Sequence, residues 1–144
     1  MATKETCELD AAHPPKPKAV ESFEAVLPQI KAELVASRSR WDKHEPRMYS
    51  RVHGISNVAL TNFTASDLVL VRHGVTAYGH IIFGKFRLHC LDDAYLHVRI
   101  WTDSEGDVKF HSIYTEEGDK DEDEQPHSFR AIMTEKDPLE WFDE

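Results

Sequence analysis

Two cysteines, six glycines and the lack of any long apolar run limit what this 144-residue chain can be. Cys7 sits in a polar tail and Cys90 ends an apolar-patterned strand, so there is no disulfide framework and both are read as reduced thiols. No stretch approaches the roughly 18 consecutive apolar residues of a membrane helix. The opening residues, MATKETCELD, hold acids and no apolar segment; neither signal peptide nor membrane anchor is expected, and a cytoplasmic protein is. Positive charge is short as well. Lys plus Arg number 17 against 26 Asp plus Glu, a formal charge of −9, which argues against nucleic acid and anionic membrane as partners. Missing too are a Cys-x-x-Cys pair, a His-x-x-x-His pair, a glycine-rich phosphate loop and a Gly-x-Ser-x-Gly elbow. Composition and spacing therefore do not indicate an enzyme, and no cofactor is expected.

What is present is the length and apolar content, 40% hydrophobic, of one domain. Folding at this size hides about 68–70% of the unfolded surface, so no metal or disulfide staple is needed. Residues 1–18 read as an extended arm, because Pro14, Pro15 and Pro17 withhold backbone donors. Val20, Phe23, Leu27, Ile30 and Leu34 then recur at spacings of three and four, the stripe of a helix running to about Ser37. Pro28 lies inside that stripe and requires a kink or a packing compensation. From Met48 the period becomes two, predicting strands over Ile55–Phe63, Asp67–Arg72, Ile81–Leu91, Ala94–Trp101 and Val108–Thr115.

Parity constrains the central hairpin. Ile82, Phe86, Leu88 and Cys90 are even, as are Ala94, Leu96, Val98 and Ile100. Even can oppose even only if paired numbers have an even sum, which excludes a two-residue turn at Asp92-Asp93 and favours a loop of three or five. A second turn is expected at Asp103-Ser104-Glu105-Gly106. The fold class is thus α+β, a helix packed on a twisted antiparallel sheet of four or five strands. The domain spans 19–115, and 116–144 is an acidic spacer followed by an aromatic tail.

The candidate chemistry is sparse. Cys90 and His89 are adjacent on a strand and point to opposite faces, so they do not form a nucleophile–base pair. His89 and His97 are two potential metal ligands without a third, and no metal is expected. The odd phase carries Lys85, Arg87, His89, His97 and Arg99, a cationic face read either as solvated or as a dock for the chain's own acidic Glu116–Glu124 run or for an acidic partner. In the tail, Leu139, Trp141 and Phe142 either cover an end of the sheet or dock in a partner's groove.

Three segments carry a family resemblance. Pro14 and Pro17 precede the helix, Leu27-Pro28-Gln29-Ile30 lies within it, and the hairpin Lys85–Trp101 contains Tyr95-Leu96-His97-Val98-Arg99-Ile100-Trp101 after an acidic turn. With Gly106 and Ser112-Ile113-Tyr114, this order resembles the stefins, the intracellular cystatins that inhibit papain-like cysteine proteases. The resemblance implies a cystatin-like fold and a non-cleaved wedge filling the protease cleft. Its three parts would be the arm around Cys7, a first hairpin loop at Val75-Thr76-Ala77-Tyr78-Gly79, and a second at Asp103-Ser104-Glu105-Gly106. Gly79 matches the glycine of the family's Gln-x-Val-x-Gly loop, with Val75 and Ala77 in place of its glutamine and valine. The expected partner is a papain-like cysteine protease and the expected state a monomer. The alternative is a non-inhibitory binding module using Arg87, Arg99, Trp141 and Phe142.

Overall fold

A computed structural model describes residues 7–120 and 126–143. Two helices stand where the apolar stripe predicts one: α1, Pro17–Ala25, and α2, Leu27–His44. Pro28 decides the break, since it has no N–H for the carbonyl four residues back. The chain leaves α1 at Val26, whose N–H returns to Phe23 O at 3.2 Å, and Pro28 falls in the first turn of α2, where no donor is needed.

Ile55–Phe63, predicted as a strand, is a single helical turn, α3 (Asn57–Leu60), and Ser56 Oγ accepts the Ala59 N–H at 3.1 Å. Tight 3-10 turns flank it at Pro46–Val52 and Ala65–Asp67. The apolar residues of this region, Met48, Tyr49, Val52, Leu60 and Phe63, are nonetheless buried. Tyr49 OH donates to Ser37 Oγ at 2.7 Å, so this buried phenol has a partner on α2.

Four antiparallel strands follow in the order β1-β2-β3-β4: Leu68–Thr76, Gly79–Arg87, Tyr95–Asp103 and Val108–Ile113. β2 pairs with β3 even against even, Phe86 opposite Leu96 and Ile82 opposite Ile100, as the alternation requires. The Leu88 N–H donates to Ala94 O at 2.8 Å, which leaves residues 89–93 as the loop, with Asp93 at φ +50°. On the even face the core joins Phe23, Ile30 and Leu34 to Phe86, Leu88, Leu96, Val98 and Ile100, with Val20 and Leu27 at its margin. Phe23 meets Phe86 edge-on at 5.5 Å.

The odd face departs from expectation. Lys85, His97 and Arg99 are buried rather than solvated, and only Arg87 of the β2–β3 cations named above, with His89 beyond the strand end, is exposed. The chain forms a separate hairpin, β5 (Glu116–Lys120) with β6 (Pro126–Arg130), and then returns across this face. Glu116–Lys120, expected within a solvated spacer, is therefore a strand; residues 121–124 of that acidic run lie outside the described residues. Tyr95 and Met133 exchange backbone hydrogen bonds of 2.9 and 2.7 Å. Lys85 Nζ donates to Glu135 O at 3.0 Å and Asp137 O at 2.7 Å, and Arg99 Nη1 to Phe142 O at 2.8 Å. Cys7, Ile81, Phe83, Leu139 and Phe142 make a second small core there, Phe83 meeting Phe142 at 5.0 Å. The tail thus covers the sheet. Backbone carbonyls answer the charges of Lys85 and Arg99, which is how a cationic strand face becomes an interior one.

Candidate functional site

The site grows from two turns and an edge. Thr76 and Gly79 close the β1–β2 hairpin around Ala77 and Tyr78. Thr76 Oγ1 accepts the Tyr78 N–H at 3.2 Å and donates to Gly79 O at 3.1 Å. Gly79 adopts φ +152°, and a Cβ there would run into the carbonyl oxygen of Thr102. The next hairpin turns at the same height, because Gly79 pairs with Asp103. Asp103 Oδ1 accepts the N–H groups of Glu105 and Asp107, both at 2.9 Å, and so fixes that loop from within. Gly106 supplies φ +91°.

The arm lies along the free edge of β1. Asp10 N–H donates to His73 O at 2.9 Å, and His13 and Val71 exchange bonds of 3.1 and 2.9 Å. Arg72 Nε donates to Asp10 O and its Nη1 to Leu139 O, both at 2.8 Å, tying arm, strand and tail together. At the upper end the Cys7 thiol donates weakly to Val75 O at 3.7 Å. Gly74 permits this approach, since any Cβ there would overlap Cys7 Sγ. Burial pushes the Cys7 thiol up from its ordinary pKa, with Arg99 pulling the other way, so it is a poor nucleophile.

Arm, Val75–Gly79 loop and Asp103–Gly106 loop therefore meet at one end of the sheet, although some 60 and 90 residues separate them in sequence. Val75 is 68% and Tyr78 77% exposed. Below this rim a groove of about 710 Å3 runs between the start of α1 and the sheet, past Lys16, Lys18, His73, His80, Thr102 and Asp103. Cys7 is the exception among the predicted contacts: its side chain is buried in the second core, and only its backbone follows the rim.

Arg99 and Phe142 lie inside the sheet–tail contact, and Trp141 is half-buried with Arg99 stacked 4.8 Å over its ring. His89 and His97 are not brought together. His89 Nε2 stands 2.7 Å from Asp67 Oδ1, whereas His97 is buried against Tyr114, 6.3 Å between ring centres. The groove histidines, His13, His73 and His80, escaped the sequence reading; pairing across an edge between residues 60 apart leaves no local signal. A second groove, about 790 Å3, passes Glu33, Arg40, Trp41 and Phe110 and contains none of the candidate residues. Among the described residues no helix is long and apolar enough to cross a membrane. No family, curated protein or solved structure matches the chain.

Proposed function

We propose that this chain is a stefin-like binding protein that seats its rim in the cleft of a papain-like cysteine protease as a non-cleaved wedge. The observation that carries the reading is the meeting of the three segments the resemblance names, with Val75 and Tyr78 projecting from the first loop. Exposed apolar side chains on a loop braced by its own hydrogen bonds suit a cleft lined with apolar subsites, because little loop entropy is lost on docking. The cystatin-like assignment of the α+β fold belongs to the same reading, as does action by binding rather than turnover.

The test is titration of papain and related proteases with the purified chain, following hydrolysis of a small fluorogenic peptide. Stoichiometric loss of activity supports the wedge; undiminished activity at about 10,000-fold the nanomolar level of a tight inhibitor rejects it. One feature favours a second reading. Asp103, Glu105 and Asp107 charge the second loop negatively, which suits a partner presenting Lys or Arg at that point of its surface rather than an apolar subsite.

A further inference from the structure

Beneath the rim, Asp10 and His13 of the arm face His73 of β1. Asp10 Oδ1 accepts the His73 backbone N–H at 2.7 Å, which leaves Oδ2 turned toward both imidazoles. Oδ2 lies 3.3 Å from His13 Nε2 and 3.7 Å from His73 Nδ1, and all three atoms fall within 4.8 Å of one another. The two ring planes are within 10° of parallel, with their centres 5.6 Å apart.

The hydrogen positions make this arrangement demanding. His13 Nδ1 is 2.9 Å from Pro14 O, an atom that only accepts, so Nδ1 carries the proton and Nε2 of a neutral ring presents its lone pair to the Asp10 carboxylate. Two lone pairs face each other unless a positive centre lies between them. A proton on Nε2 would serve that pair but does nothing for His73 Nδ1, which is beyond hydrogen-bond range of Oδ2. An ion with ligands at about 2.1 Å in tetrahedral array keeps them about 3.4 Å apart, near both distances seen here.

We propose that Asp10, His13 and His73 form a three-ligand site for a divalent ion of the zinc class, which pins the arm to β1. Two imidazoles and a carboxylate are the donors such a borderline ion prefers, and three protein ligands leave the fourth position to water or an outside donor. The Pro14 carbonyl and the His73 N–H orient two of the ligands. All three side chains remain between 31% and 47% exposed, so an ion enters without unfolding. The site stands independently of the protease reading.

The test is calorimetric titration of the full chain with zinc chloride, with cobalt(II) absorption as a second probe of tetrahedral geometry. One ion per chain is expected, with slower exchange of the Asp10 and His13 amides in its presence. His13→Ala and His73→Gln each weaken uptake by about 100-fold or more, whereas His53→Ala on an exposed turn leaves it unchanged. Circular dichroism and cobalt spectra of each variant separate lost ligation from lost folding. No saturable uptake by the folded wild-type chain, or uptake that survives both substitutions, overturns the site.

Discussion

His97 shows how much one residue's surroundings alter its chemistry. Burial first, then Lys85 opposite it on β2, brings its pKa down to about 3; Arg130 adds to this and Asp137 opposes it. The unfolded chain, with an ordinary imidazole near 6.5, then binds more protons than the folded one between those two values. Stability falls as pH drops through that window, by about 2 kcal/mol from pH 7.5 to pH 5. Urea unfolding at the two pH values should show this loss in the wild type and a slope smaller by that amount in His97→Phe. Asp137 behaves in the acid range. Burial alone would raise its carboxyl, but the bidentate Arg130 pair at 2.8 and 2.7 Å and the bonds from Thr134 outweigh it and hold the pKa at about 2. Its contribution, present above the ordinary carboxylate range, disappears as pH falls toward 2.

Gly79 is the residue on which the rim depends. Gly79→Ala forces a Cβ against the Thr102 carbonyl at a backbone angle side chains avoid, and should cost about 1–3 kcal/mol. A drop in melting temperature with local changes in the amide spectrum of 76–80 and 102–104 would register it; an unaltered spectrum would speak against this hairpin geometry.

At the scale of elements, the even face was legible because every second residue from Ile82 to Ile100, apart from Gly84 and the loop, is apolar, and that pattern survives any choice of neighbour. The hairpin register followed from parity alone. The odd face was misread because Lys85, His97 and Arg99 look like solvent-facing groups, while their apolar companions Ile81, Phe83 and Trp101 received no weight. Those companions, set against Leu139, Trp141 and Phe142, are the signal that a second layer covers the sheet. Pro28 marked the helix break, but the helical turn at Asn57–Leu60 was lost because a short apolar run has no period long enough to separate helix from strand.

Two predictions belong to this scale. Phe142→Ala, which empties the second core beside Phe83, should cost about 3–5 kcal/mol in denaturant unfolding. A chain ending before Pro126 loses the carbonyls that receive Lys85 and Arg99, and should fail to unfold cooperatively. A truncated chain with the wild-type midpoint would mean the tail is no part of the core.

For the whole molecule, the arrangement is a sheet clamped between helices and tail, with one end left to carry loops. The hydrogen bonds of Thr76, Asp103 and Arg72 brace that end, so its exposed side chains are presented on a rigid support. The convergence of arm and loops is a property of the sheet; sequence supplied the segments only through a resemblance, and the Asp10–His13–His73 cluster not at all. If the rim is the binding edge, Tyr78 and Val75 are its anchors, and each truncation to Ala should weaken a complex by about 2 kcal/mol, roughly 30-fold, while leaving stability unchanged.

The most direct measurement sets papain inhibition by the wild-type chain beside that of a Val75→Asp, Tyr78→Asp double variant of equal melting temperature. The wedge account predicts stoichiometric inhibition by the first and at least about 1,000-fold weaker inhibition by the second. Equal inhibition by both, or none by the wild type, would contradict it.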